Sequence, residues 1–512
     1  MERDFDAAII GGGHNGLVAA WYLRQAGLRV GVFERRNFVG GAVVTEELWP
    51  GYRVPTCSYI CYLLQDRIIE DMALRAHGFD VHQLNPSSFT PFPDGRAMLS
   101  WKETERTAGM IAGISPADAA RYPDYVNLRE RMAAIVKRWF LKPPPTLAEL
   151  VDDARAHGDE ELLERLLFGS VSALLDEYFE SPQIKGWLAS AWDAGDPDAP
   201  GSLLSAIYPT VSAFTADENV GIVVGGMGGI TQAMARACET AGVEIHTRAE
   251  VAGILVEGDR ATGIELANGE RISARIVVSN ADPKRTFLTL TPEDALPDGF
   301  RRRVERLTAN AAYFKFHAAL DALPDFSRYL GDDYDPRTLA QIKICPSLDY
   351  YRKAWDDASH GRITDSPVMA IQIPSVYDRT LIDGDGHVMS IWVQYAPVTP
   401  AEGSWDELRQ QAGEMLIDTI GIYAPNIREV IRDWVLFTPQ DIEARVGMTD
   451  GNIRHIDMVA GQLFAGRLDY RTPLDGLYLC GSGTHPGGEV TGAPGHNAAR
   501  AILSEIGASV AV

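Results

Sequence analysis

Apolar and polar positions along the chain change their period several times. Residues 7–10 form a short apolar run, glycines follow, and residues 15–25 then repeat apolar positions at helical spacing. Gly27 closes that helix, and residues 28–33 form a second apolar run. Strand, turn, helix and strand at this compact spacing predict a dinucleotide-binding unit. From about residue 70 to 215 the pattern is mostly helical. Ser115-Pro116-Ala117-Asp118, Thr146-Leu147-Ala148-Glu149 and Ser181-Pro182 each open a helix with a capping residue, the last carrying Trp187 and Trp192. Near residue 220 the period changes again. A strand over 220–224, a loop over 225–229 and a helix over 231–241 precede strand-like runs at 243–247, 251–257, 263–267 and 272–279. The turn Ala267-Asn268-Gly269-Glu270 reads as a hairpin. Longer alternating runs at 313–320, 368–373 and 388–395 predict an antiparallel layer. Trp392 and Tyr395 within it read as core residues. A helix over 404–420, a strand over 476–480, a glycine-dense loop and a helix over 494–506 complete the chain.

Composition narrows the class. The chain has 512 residues, 46% hydrophobic and 23% charged, which is globular and long enough for more than one core. Its net charge of -23, from 47 basic and 70 acidic residues, excludes a general grip on nucleic acid or anionic lipid. Peripheral membrane contact through a local apolar patch stays open. The five cysteines, Cys57, Cys61, Cys238, Cys345 and Cys480, are sparse and irregular, with no zinc pattern. With no signal-like start and no apolar run of spanning length, a cytoplasmic protein is expected.

The strongest motif is Gly11-Gly12-Gly13-His14-Asn15-Gly16 between strand and helix. Gly11 permits the tight turn, Gly13 lets backbone approach a pyrophosphate, and Gly16 lets helix and strand pack. The phosphates are expected at the helix N-terminus, with Glu34 on the adenosine ribose hydroxyls. His14 reads as a solvent-facing residue at the helix start. FAD and NAD both suit this unit. The pair Gly40-Gly41, soon after Glu34-Arg35-Arg36, resembles the extended fingerprint of FAD proteins. The block from Gly481 to Ala499 contains Gly481-Ser482-Gly483-Thr484-His485-Pro486 and later Gly492. Its loop can approach a flat ring, and its helix N-terminus can stabilise charge on a reduced flavin.

Taken with Gly225–Gly229 and Val277–Pro283, these segments resemble the bacterial-type phytoene desaturase-like FAD oxidoreductases, in the branch of pyridine nucleotide-disulphide oxidoreductase domain-containing protein 2. The resemblance spans nearly the whole chain. It implies an α/β fold: a Rossmann-type FAD domain assembled from residues 1–70, 216–300 and 436–512. A mixed α+β substrate domain, with an antiparallel sheet and a helical insertion, would be built from 71–215 and 301–435. It also implies that Val251 meets the adenine through its backbone, and that Gly481 and Ser482 lie by the pyrophosphate and ribityl chain. Asn15, Arg35 and Gly492 join the cofactor candidates.

One departure is Glu489, where carotenoid-type desaturases tend to carry a small residue. It reads as a general base, an anchor for a cationic substrate, or a salt-bridged loop acid. His485 reads as a base, a flavin contact or a loop side chain bonded to backbone, with a structural role near the cofactor preferred. No second nicotinamide fingerprint is complete: Gly226-Met227-Gly228 meets Thr231, and Gly481-Ser482-Gly483 meets Pro486. Cys57 and Cys61 read as core thiols. Electrons are then expected to pass to oxygen, a quinone or another carrier. The expected reaction is dehydrogenation or desaturation of an apolar or amphipathic small molecule. Amine oxidation and a non-catalytic FAD-binding scaffold are the alternatives. Oligomeric state is not legible.

Overall fold

The computed structural model describes residues 4–190, 193–208, 220–459 and 461–508. Trp192 and the expected boundary at 215/216 lie outside them. The first unit forms as predicted. Strand Phe5–Ile10, helix His14–Gln25 and strand Val30–Glu34 follow one another, and both strands are almost wholly buried. They belong to a seven-stranded sheet in which Phe5–Ile10 lies between Val30–Glu34 and Arg271–Ser279, all parallel. Glu244–Thr247 extends one side, and Leu477–Leu479 pairs with the end of Arg271–Ser279. Helices His14–Gln25, Gly228–Ala241 and Ala493–Glu505 bury apolar faces against it. Strands Val251–Glu257 and Arg260–Leu266 run antiparallel at its edge. The hairpin turn sits where expected, with Gly269 at φ 84° and Leu266 N–H donating to the Glu270 carbonyl at 2.8 Å.

A second seven-stranded sheet runs in the order Ile431–Phe437, Ala312–Leu320, His387–Ala396, Val368–Gln372, Gln341–Ile344, Ser88–Pro91, Ala97–Ser100. One face packs on helix Trp405–Gly421, whose cap Ser404 donates its N–H to Glu407 at 2.9 Å. The other face joins the core of the helical insertion. The strands Ser88–Pro91 and Ala97–Ser100 correct the expectation of helix after residue 70. Their turn, Pro93-Asp94-Gly95, carries ordinary hairpin chemistry, and strands of four residues are too short to set a period.

The insertion's caps form as read. Thr146 Oγ1 accepts from Glu149 N–H at 3.2 Å, and Ser115 Oγ from Asp118 N–H at 3.2 Å. Asp118 does more than cap. Its carboxylate accepts the N–H groups of Glu180 and Ser181 at 2.8 and 2.9 Å, tying the start of one helix to the start of another. No helix among the described residues is long and apolar enough to cross a membrane.

Candidate active site

Two clefts meet beyond the C-terminal ends of Phe5–Ile10 and Val30–Glu34, the usual ligand position of such sheets. The first is lined by Gly11, Gly13, Glu34, Arg35, Gly41, Val251 and Arg285, among others. Its walls are largely backbone. Gly13 caps helix His14–Gln25 without a side-chain acceptor, so the helix's first N–H groups remain available to an anion. A Cβ on Gly16 would stand 2.3 Å from the Gly11 carbonyl oxygen, which is why only glycine fits where helix crosses strand. Glu34 accepts from the N–H groups of Gly12 and Arg36, both at 2.9 Å, and each oxygen keeps a lone pair for a ribose hydroxyl. Gly40 N–H donates to the Gly12 carbonyl at 2.8 Å, which brings Gly41 against Gly13.

The second cleft is lined by side chains from distant segments: Tyr59, Tyr62, Asp193, Tyr313, Lys315, Trp392, Arg454 and Glu489, with His14, Asn15 and Ser482 at its inner end. Both clefts share Gly13, Gly41, Asn280, Val446, Met448 and His455. His14 is half-buried with its Nε2 covered rather than solvent-facing, and the loss of solvent holds its imidazole down at about 4. His14 Nε2, Asn15 Oδ1, His455 Nδ1 and Arg285 Nε are buried polar atoms with no partner in the protein. Buried groups of this kind cost free energy unless something bonds them. All four belong to residues lining the clefts, so the cavity fits a long ligand with a polar middle.

Glu489 stands at the wall of the second cleft with φ 70°, a left-handed conformation that costs a non-glycine residue about 1–3 kcal/mol. Arg454 Nη2 donates to its Oε1 at 2.7 Å, and the Tyr62 hydroxyl donates to Oε2. Arg454 is shared, since Asp193 Oδ2 lies 3.4 Å from its Nη1. Asp193 also accepts from the hydroxyls of Tyr313 and Tyr395, the latter at 2.9 Å. One buried cation therefore serves two buried carboxylates. Burial pushes Glu489 up to about 8, while the Arg454 guanidinium bonded to it favours the charged carboxylate. In the same cleft, Lys315 Nζ bonds Ser390 Oγ at 3.0 Å and lies 5.2 Å from the centre of the Tyr59 ring. Burial lowers its ammonium to about 7. Tyr59 stacks on Trp392 at 5.9 Å, and Trp392 meets Tyr313 at 5.2 Å.

Several expectations are corrected here. Trp392 and Tyr395 are buried in the core as read, but Trp392 also forms cavity wall and Tyr395 holds Asp193. His485 does not line either cleft. Its Nε2 faces the Trp139 carbonyl at 2.9 Å, and burial holds it near 4, a structural role. Gly492 also lines neither cleft. It caps the last helix at φ 71°, where a Cβ would collide with Ile68. Gly481 packs behind the junction, against the Asn280 carbonyl and His455. Lys315 and Arg454 were missed. A lysine and a histidine inside a nine-residue buried strand, Ala312–Leu320, were the available signal for the first. No sequence pattern marks the second.

The chain belongs to the flavin containing amine oxidoreductase family, whose model matches residues 16–354. FAD is its cofactor, and the chain is an oxidoreductase. It is 34% identical to pyridine nucleotide-disulfide oxidoreductase domain-containing protein 2 of Rattus norvegicus, over 99% of this chain and 94% of that one. It is 27% identical to one of the polypeptides of the limonene dehydrogenase of Castellaniella defragrans, over 99% of this chain and 96% of that one. A solved putrescine oxidase shares the fold at 16% identity, with a TM-score of 0.63 and 99% of both chains covered.

Proposed function

We propose that the protein dehydrogenates or desaturates a neutral, apolar or amphipathic small molecule. When bound, FAD supplies a two-electron acceptor for hydride from a C–H of the substrate. The residues determine which molecule is held there and where the accompanying proton goes. The observation that carries this reading is the charge balance of the second cleft. Both acids, Asp193 and Glu489, are already bonded to Arg454 and to tyrosines, so neither is free for an ammonium group. Lys315 faces the same space and repels a cation whenever it is protonated. The remaining wall is aromatic and aliphatic, from Tyr59, Trp392, Ile442, Val446 and Met448. Such a surface takes apolar substrate and excludes water.

Lys315 is the proton acceptor in this reading. With its ammonium lowered to about 7, a neutral amine is well populated at physiological pH, where base catalysis needs it. Glu489 and Arg454, which line the same cavity, orient the substrate. Limonene dehydrogenase, by its name, acts on an apolar molecule, and this likeness supports the same class. Oxygen or a quinone is the electron acceptor.

Amine oxidation is the second reading, favoured by the stacked Tyr59–Trp392 pair in a cavity that also holds acids. Anaerobic flavin absorbance separates the two. Terpene, polyene and acyl-lipid substrates are expected to bleach the visible flavin band, and primary and secondary amines are not. Bleaching by amines alone would overturn the first reading.

A further inference from the structure

At the adenosine end, one wall carries two guanidinium groups. Arg285 opens the π-helical segment Arg285–Leu290, and Arg35 follows the ribose acid. Both line the cleft. They converge on Gly447, which ends helix Pro439–Val446 with φ 77°: a Cβ there would lie 3.5 Å from Arg285 Nε and 3.6 Å from Arg35 Nη2. Arg35 Nη2 donates to the Ala444 carbonyl at 2.9 Å, and Arg285 Nε is buried without a partner. Neither guanidinium forms an ion pair among the described residues.

Two of the nearby acids hold backbone groups. Asp282 accepts the Arg285 N–H at 3.0 Å, and its other oxygen takes the N–H and hydroxyl of Thr449. Glu34 holds Gly12 and Arg36. Glu250 lines the same cleft, and its charge and that of Glu34 favour the charged form of Arg35, whereas Arg285 Nε meets no acceptor. A buried guanidinium donor without an acceptor, on Arg285, is unfavourable until a ligand oxygen meets it. Flanking Gly447, residues Val446 and Met448 line both clefts, so the pair stands next to the junction where the helix N-terminus at Gly13 also points.

We propose that Arg285 and Arg35 form a two-arginine clamp for the diphosphate of FAD, a second source of positive charge beside the helix N-terminus. Guanidinium groups suit this task because their forked donors match phosphate oxygens. Arg285 carries most of the effect, since Arg35 already spends a donor on Ala444.

Calorimetric titration of the apoprotein with FAD, ADP and adenosine tests the clamp. Arg285→Gln is expected to weaken FAD and ADP by roughly 10- to 100-fold while adenosine binds as before. Arg285→Lys is expected to lose less than about tenfold, and Arg35→Gln only a few-fold. Wild-type ADP binding should weaken steeply with salt. An equal loss of ADP and adenosine would overturn the proposal by showing that the arginines read the base. So would unchanged ADP affinity in Arg285→Gln, or wild-type ADP binding that ignores salt. The salt series needs no variant, so it can overturn the proposal even if Arg285→Gln fails to fold, and Arg285→Lys and Arg35→Gln then carry the comparison.

Discussion

The two ends of the cofactor cleft are built from different materials. The adenosine end is built on backbone, Gly11, Gly13 and Gly41, with the N–H of Gly12 fixed by Glu34 and with Arg35 and Arg285 on one wall. The opposite end uses side chains, and its key contact joins residues 427 positions apart, Tyr62 and Glu489. A backbone site tolerates almost no added atom, because the chain itself is the wall. A side-chain site can exchange its groups, so it is where relatives on one scaffold differ in chemistry. The comparison predicts that substitutions at the first end remove the cofactor, while those at the second alter stability, pH response and turnover.

The largest effect is expected from Gly16→Val. Its Cβ would meet the Gly11 carbonyl at 2.3 Å, and neither backbone segment can retreat without parting strand from helix. Purified protein should lack the flavin band or fail to fold. A yellow, stable variant would show that the crossing is looser than the structure has it. Next comes Arg454→Met, which leaves Asp193 and Glu489 buried without their shared cation. Removing one partner of a buried ion pair costs about 3–5 kcal/mol, and a denaturant midpoint would register it. Arg454→Met with Asp193→Asn should recover part of the loss. A single variant as stable as the wild type would dissolve the charge account of the second cleft.

Legibility in the sequence follows the same division. The glycine fingerprint, Glu34, Gly40-Gly41 and the flanking strands were readable because backbone approach leaves a fixed spacing between Gly11 and Gly41. Both sheets were anticipated in outline, yet Ser88–Pro91 and Ala97–Ser100 were not, since short strands gain their place from the neighbours they pair with. Lys315, Arg454 and Asp193 sit on a strand and two irregular segments. Only the fold brings them to one cavity, and no local spacing records it. Glu489 stood out in the sequence by its departure from relatives, but its partners did not. His485 and Gly492 lay inside a telling motif and still serve the scaffold.

A smaller, pH-dependent effect separates the two titrating groups of the cavity. Lys315 is lowered to about 7 from its ordinary value near 10.4, so the unfolded chain binds the extra proton between those limits. Stability contributed through Lys315 therefore rises with pH above 7, by at most about 1.4 kcal/mol per unit. Glu489 is raised to about 8, so the folded state holds the extra proton between roughly 4.5 and 8, and stability falls as pH rises through that window. Thermal midpoints measured from about pH 5 to 9 should show the wild type gaining on Lys315→Met above about pH 7. They should show it losing ground to Glu489→Gln between about pH 5 and 8. Curves that stay parallel would mean that neither group is as deeply buried as the cavity implies.

The smallest effect is expected from Cys57→Ser, although Cys57 lines the cleft beside Lys315. Burial pushes its thiol up to about 11 and that of Cys61 to about 12, so neither is a thiolate at neutral pH. Both are free thiols, and Cys61 bonds through its backbone to Gly221, at 3.0 Å from its N–H and 2.8 Å to its carbonyl. A dithiol working with the flavin would need an accessible, low-pKa cysteine next to a resolving partner, and neither residue supplies one. Anaerobic reductive titration should accordingly take up about two electrons per flavin in the wild type and in Cys57→Ser alike. If the wild type took up about four and the variant about two, side chains at this end of the cleft would hold a redox centre of their own. The division between a backbone-built cofactor grip and a cavity that only shapes substrate would then fail.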